Sequence, residues 1–395
     1  MNARSPFAVV VLASLLTGCA TMPTPRNLAG AQYQAEQRLP AASAAPCRAE
    51  PAPALLDGLV AVAAEDLTAS PDLVGPGDRL RLVVSGDAGT LTGAHVVGAN
   101  GRLVIPGVVD LPAAGQTVAA VEEALRRVLI DRGLVRDIAG NVALAQLEAA
   151  GVQVSVEGAV FEPGLVRAGE RSAEARSTTV GNPAAGDFNT GRSLAAALRS
   201  AGGIRPDAAA DRILLVRGGR YARIDVTAAF TGGVPADPQL AAGDRILVPS
   251  AGCFQPLLVR PSSVTAPGIR VYMSNLSRPA SHNAASAIGK ESTSLPYGTR
   301  FLQGLVSANC VGGSAMNGAR QAVLISRNPQ NQRSVVIARA IEALVRDADR
   351  DASNPYLMPG DAIACYDSGA MTIVDAFGVI GNALVPAALI SGLSQ

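Results

Sequence analysis

Aromatic side chains are nearly missing from this chain. Trp is absent and aromatic residues make up 3% of the sequence, against 48% hydrophobic residues overall. The core must therefore be built from Ala, Val, Leu and Ile. Platforms for stacking sugar rings or bases are scarce, which argues against a glycosidase cleft or a groove for single-stranded nucleic acid. An excess of either charge is missing too. Lys and Arg number 33 against 32 Asp and Glu, a formal net charge of +1. No strong field draws in nucleic acid or an anionic surface, so no nucleic-acid partner is expected. Lys290 is the sole lysine, a bias that genomic base composition explains better than function.

Catalytic chemistry is equally thin. The two histidines, His95 and His282, are far apart and each stands beside small or polar residues, which reads as surface histidine. No HExxH, GxSxG, P-loop or strand-preceded GxGxxG pattern appears. The segment Asp347–Asp351 contains Arg350 and lacks the Gly and Glu of a calcium loop, so it reads as a solvated helix end. The five cysteines, Cys19, Cys47, Cys253, Cys310 and Cys365, lack metal-finger spacing. No enzyme activity, cofactor or metal is expected.

What is present begins at the N-terminus. The apolar run Phe7–Leu16 has the length of a signal-peptide core and is too short to cross a bilayer as a helix, with Arg4 the only basic side chain before it. Leu16-Thr17-Gly18-Cys19 follows, the pattern a lipoprotein signal peptidase cuts before the thiol is acylated. The expectation is a signal peptide over 1–18 and a mature chain that starts, lipidated, at Cys19 outside the cytoplasm of a bacterium. An ordinary signal peptide with a chance cysteine is the alternative. Ala20 in place of Asp favours the outer membrane, by analogy with enterobacterial sorting. Four cysteines then remain in an oxidising compartment, where three complete pairings or free buried thiols are open.

Residues 19–70 are rich in Ala and Pro and read as a tether, with one short helix near Ala54–Ala64. A first domain over 71–150 opens at Gly75-Pro-Gly77-Asp78. Leu80, Leu82 and Val84 alternate as in a strand. Asn100-Gly101 is a hairpin-type turn, and Thr117 is a good N-cap for a helix with Val118, Val121, Leu125, Val128 and Leu129 on one face.

The rest of the chain repeats itself. An alternating strand opens each copy: Val152, Val154, Val156 in one, Ile269, Val271, Met273 in the other. The short helices Leu194–Ala201 and Phe301–Ala308 follow, with Gly202-Gly203 and Gly312-Gly313 as their exits. At equal spacing after each Gly pair come Arg217, closing Ile213–Val216, and Arg327, closing Val323–Ser326. Each copy then has a Leu-x-x-Gly-Asp turn, Leu240 to Gly243-Asp244 and Leu357 to Gly360-Asp361. The pattern describes a sheet grasping one helix, with left-handed glycine exits and turns in which the carboxylate bonds nearby backbone N–H groups. Insertions at Gly169–Gly191 and Ser277–Pro296 read as exposed loops. Gly77, Asp78, Gly243, Asp244, Gly360 and Asp361 are therefore structural turn residues. Cys310 at a helix end and Cys365 on the strand after Asp361 must pack in one small domain, which makes them the favoured disulfide.

With those residues in place, the chain resembles outer-membrane polysaccharide export proteins of the Wza type. Gly75-Pro-Gly-Asp78, Asn100-Gly101-Arg-Leu…Ile105-Pro106 and Ala114-Gly115-Gln-Thr117 are similar to the export domain. Val154-Ser-Val-Glu-Gly158…Pro163-Gly164 is similar to the β-grasp repeats called SLBB, as is Asn354-Pro-Tyr-Leu-Met-Pro-Gly-Asp361. The second copy departs at Val271-Tyr-Met-Ser-Asn275, which lacks the Gly and the Pro-Gly turn, so its first hairpin is in question. The fold expected is α+β and multidomain: an export domain, SLBB repeats over 151–252 and, with a linker, 253–367, and a C-terminal helix in 368–395.

The resemblance implies a homo-oligomeric ring, eightfold by family analogy. It would carry capsular polysaccharide or exopolysaccharide through the outer membrane, supplied by an inner-membrane copolymerase often associated with a tyrosine kinase. A C-terminal helix from each subunit can join a barrel. Met371–Leu393, roughly 35 Å if helical, is long enough for that. It carries one charge, Asp375, which shares a narrow helical sector with Thr372 and Asn382, a candidate lumen-facing stripe. Pro386 and frequent Gly weigh against a straight span, so a tail packed on the protein or lying at the interface is the alternative. For the whole chain, the alternative function is a monomeric lipoprotein that holds a glycan or a partner protein through its repeats.

Overall fold

The computed structural model describes residues 56–68, 73–171, 186, 189–275, 294–308, 310–311, 320–327, 333–347 and 350–366. Cys19, Cys47, His282, Gly312, Gly313, Thr372, Asp375 and Asn382 lie outside the described residues. The fold is α+β. It forms two compact units, one ending at Pro267 and the other beginning at Gly268.

The first unit opens with strand β1 (Val60–Ala61) and helix α1 (Ala64–Thr68). The helix expected near Ala54–Ala64 thus starts at its far end, because Val60 and Ala61 are recruited into a sheet instead.

The first domain contains β2 (Arg79–Val84), β3 (Gly93–Val96), β4 (Arg102–Ile105), β5 (Val109–Pro112), α2 (Val118–Asp131) and β6 (Val142–Glu148). Its main sheet has the order β3-β2-β6, and β4 and β5 pair separately. Strand β2 alternates as the sequence does, burying Leu80, Leu82 and Val84 and exposing Arg79, Arg81 and Val83. Thr117 caps α2 by accepting the Ala120 N–H at 3.2 Å, and the helix buries Val121, Leu125 and Leu129 in the same core.

The first repeat contains β7 (Val152–Gly158), β8 (Gly164–Ala168), α3 (Leu194–Ser200), β9 (Ile213–Arg217), β10 (Arg220–Ile224), α4 (Ala228–Thr231) and β11 (Arg245–Val248). The sheet runs β1-β10-β9-β11-β7-β8, with β1 parallel to β10 and β11 parallel to β7. Leu194 and Leu198 of α3 pack with Val154, Val156, Leu215 and Ile246. The chain beyond β11 stays with this unit, burying Leu258 and Val264 in the same core. Gly203 (φ 85°) leaves the helix and pairs with Thr265; a Cβ there would lie 2.4 Å from the Ala266 nitrogen.

The second unit contains β12 (Gly268–Arg270), β13 (Tyr272–Asn275), β14 (Ser294–Pro296), α5 (Phe301–Ser307), β15 (Gln321–Arg327), β16 (Ser334–Ala340), α6 (Ile341–Arg346) and β17 (Ala362–Tyr366). Its sheet order, β13-β17-β15-β16, repeats β7-β11-β9-β10, with the same parallel pair in the same place. The registers place Tyr272 where Ser155 stands, so Ile269, Val271 and Met273 match Val152, Val154 and Val156. The hairpin that the departures at Val271–Asn275 put in question has both its arms, because Ile269 pairs with Leu295 as Val152 pairs with Ala168. Its connection lies outside the described residues.

Candidate functional site

One turn recurs at three places. Gly75 to Asp78, Ala241 to Asp244 and Met358 to Asp361 each bring the first C=O to the last N–H, at 3.1, 3.2 and 3.1 Å. The third residue is Gly77, Gly243 or Gly360, with φ of 89°, 85° and 83°, the left-handed conformation that a type II turn demands. In each, the Asp carboxylate accepts the N–H three residues before it, at 2.8 Å in all three. All three carboxylates are buried.

Three buried anions need partners, and the partners differ. Asp78 receives the Arg192 guanidinium, the Ala150 N–H at 2.8 Å and the Gln146 amide at 3.0 Å. Burial pushes its carboxyl above the ordinary range, against the pull of Arg192 and the Gly75 and Ala150 N–H groups. Arg192 also donates to the Ala150 and Leu73 carbonyls. It precedes α3 of the first repeat, so this one side chain locks the opening turn of the first domain to the next domain.

Asp244 receives Arg217 through parallel bonds of 2.8 and 2.6 Å, the bidentate geometry that favours arginine. Arg217 reaches further, to the carbonyls of Leu67 at 3.1 Å and Gln239 at 2.9 Å, and so holds α1 in place.

Among the described residues, the partners of Asp361 are the Met358 N–H and the Ser326 hydroxyl, with no guanidinium. Burial raises its carboxyl to about 6. This corrects the reading that Arg327 is the counterpart of Arg217. Val216 lies opposite Arg245 and Ile325 opposite Ala362, so Ser326 holds the Arg217 position. Arg327 is one residue further on and points to the exposed face.

The two repeats close in the same way, bond for bond. Asp237 accepts the Ala195 N–H at 2.8 Å, and Asn354 accepts the Leu302 N–H at 2.9 Å. Leu194 and Phe301 donate to the Pro238 and Pro355 carbonyls, and Leu240 and Leu357 donate to the Arg192 and Thr299 carbonyls. Thr299 therefore stands where Arg192 does. Both arginines that tie the first repeat to its surroundings, Arg192 and Arg217, are replaced in the second by Thr299 and Ser326. Local sequence rules do not single out Arg192, Asp237 or Asn354 as partners in this machinery; the shared Pro-x-Leu-x-x-Gly-Asp spacing is the available signal.

Beside the Asp78 turn, the first domain and the first repeat enclose a cleft of about 370 Å³. Arg79, Val96 and Glu148 line one side and Arg167, Glu170 and Arg171 the other, with Gly77 and Ala150 at the junction. Arg79 bonds Glu148 at 3.3 Å, and Arg167 approaches Glu170 at 3.5 Å.

Residues 67–145 match the family described as polysaccharide biosynthesis/export protein. The match covers the first domain almost entirely and supports the polysaccharide export family, a transport family rather than an enzyme family. Comparison with curated proteins finds no match.

The remaining expected residues fall as follows. Cys310 and Cys365 are joined in a disulfide with a Cα separation of 6.2 Å, and Cys253 is disulfide-bonded as well. His95 is half-buried, with its ring Nε2 2.9 Å from the Leu91 carbonyl. Asp347, Arg350 and Asp351 are exposed after α6. Among the described residues, no group of His, Cys, Asp and Glu is arranged to hold a metal, and no helix is long and apolar enough to cross a membrane.

Proposed function

We propose that this protein is an outer-membrane lipoprotein, acylated at Cys19, whose copies assemble into a ring that conducts capsular polysaccharide or exopolysaccharide out of the cell. The observation that carries the reading is the export-family match over 67–145. The disulfide between Cys310 and Cys365 supports it, since such bonds persist in the periplasm and are rare in the cytosol. So does the repeated sheet-and-helix unit, the arrangement expected of SLBB repeats. Transport asks for no reactive side chain: a polar channel supplies water and hydrogen-bonding groups, and an inner-membrane copolymerase supplies the polymer and its direction. Met371–Leu393 would form the passage through the outer membrane, with Thr372, Asp375 and Asn382 toward the lumen.

Two measurements test this together. Deleting the gene removes polymer from the cell surface, and the detergent-extracted protein images as a closed ring. A monomer in detergent, with surface polymer intact in the deletion strain, overturns the proposal in favour of a monomeric binding lipoprotein.

A further inference from the structure

The cleft beside the Asp78 turn has the chemistry of a site rather than of a seam. Three guanidinium groups and two carboxylates converge on one cavity from two domains. Domain junctions are where ligand clefts commonly form. The pairings within it are loose: Arg79 meets Glu148 at 3.3 Å and Arg167 meets Glu170 at 3.5 Å. Each guanidinium carries five N–H donors, so both retain donors to offer a ligand. The groups are also reachable, with the side chains of Arg79, Arg167 and Glu170 exposed by 48%, 59% and 57%.

The lining selects a ligand class. The N–H donors that Arg79 and Arg167 do not use on Glu148 and Glu170 suit an anion, and their planar fork matches a carboxylate. Glu170 is an acceptor for hydroxyl donors, while Glu148, 11% exposed, sits beneath Arg79 and orients it. Val96, 55% exposed beside them, offers an apolar wall to the C–H face of a sugar ring. An anionic group among hydroxyls, on a ring with an apolar face, is an acidic sugar. The floor is firm, because the Arg192–Asp78 bridge fixes the two domains beneath it.

We infer that this cleft binds a uronate-bearing segment of glycan as the polymer passes, an assignment that rests on the export reading for the identity of the polymer. Arg79 and Arg167 hold the carboxylate, Glu170 accepts ring hydroxyls, Glu148 orients Arg79 from below, and Val96 supports the ring.

The test titrates the full-length protein in detergent with tetragalacturonate and, separately, with maltotetraose, which is neutral. The acidic probe should bind roughly tenfold tighter or better, and added salt should weaken it. The double variant Arg79→Gln/Arg167→Gln should lose roughly tenfold in affinity for tetragalacturonate, while Arg220→Gln on β10 leaves it unchanged. Val96→Glu, at an exposed wall position opposite Arg79, should weaken it as well, because it sets a carboxylate beside the anion site.

Equal affinity for the two probes, full affinity in both the double variant and Val96→Glu, or no binding at all overturns the proposal. The export reading has its own readout. If tetragalacturonate does not bind but surface polymer still depends on the gene, the cleft assignment alone fails. If tetragalacturonate binds and surface polymer is independent of the gene, the export reading alone fails.

Discussion

Asp361 faces the Ser326 hydroxyl at the ladder position where, in the preceding repeat, Asp244 faces Arg217. The same turn thus buries one carboxylate against a bidentate cation and the other against a neutral hydroxyl. The Asp361 carboxyl is raised from 3.8 to about 6, chiefly by burial. A carboxyl with a folded-state pKa above its unfolded value contributes stability that is full below pH 4 and is lost as pH rises through 6. Asp361→Asn keeps the acceptor for the Met358 N–H and has no charge to bury. It should be more stable than wild type above pH 6, by up to about 3 kcal/mol, and no more stable at pH 4. Urea unfolding across that range checks the sign. A variant less stable than wild type at pH 7.5 would show that the ionised carboxylate is well accommodated.

Arg217→Ala should be far more costly than Ser326→Ala. Removing Arg217 leaves Asp244 buried without its cation, a loss of about 3–5 kcal/mol, and frees the Leu67 and Gln239 carbonyls. Ser326→Ala removes one hydroxyl bond, worth about 1 kcal/mol. The comparison is made on midpoints of thermal or urea unfolding, and near-equal losses would mean that Arg217 is not the keystone of the first repeat.

Much of this was legible in the chain because local rules act within a few residues. The alternation of Leu80, Leu82 and Val84, the Thr117 cap and the Gly-Asp turns depend on nearest neighbours. The phase of Val152–Val156 against Ile269–Met273 was also correct, since sheet alternation fixes it. Counting failed where a ladder decides. Equal spacing from the Gly pairs chose Arg327, whereas pairing with β17 places Ser326, and one residue in a strand means the opposite face. Arg192 was invisible because its partner, Asp78, is 114 positions away. Strand β1 was missed because two residues form a strand only when another strand, here β10, is already in place.

Reducing the Cys310–Cys365 bond should destabilise the second unit. The cysteines are 55 positions apart, and a loop of that length corresponds to about 4 kcal/mol in the chain-entropy model. Mass spectrometry of a non-reduced digest should recover the linked peptide, and Cys310→Ala/Cys365→Ala should lower the unfolding midpoint. Free thiols at both positions in protein isolated without reductant would refute the pairing.

Cys19→Ser should abolish palmitate labelling and outer-membrane fractionation. The expectation rests on Leu16-Thr17-Gly18-Cys19 directly after the apolar run Phe7–Leu16. Labelling that persists in this variant would place the acyl chain elsewhere.

Deleting Met371 to Gln395 should leave a folded protein that no longer exports polymer. Among the described residues, the last strand of the second unit's sheet, β17, ends at Tyr366, and its ladder partners β13 and β15 lie upstream. The core residues Phe301, Leu305, Leu324 and Ile363 are buried within that part of the chain. The deleted stretch carries one charge, and its Met371–Leu393 part spans roughly 35 Å if helical, against a hydrocarbon core of about 30 Å. Its proposed contribution is a membrane passage, so its loss should spare the unfolding midpoint and abolish surface polymer. A cysteine introduced by Ser394→Cys should react with an impermeant label added to intact cells if the passage spans. If the label never reacts and the truncated protein exports normally, the tail is packed on the protein or lies at the interface, and the route through the outer membrane must be sought elsewhere in the chain.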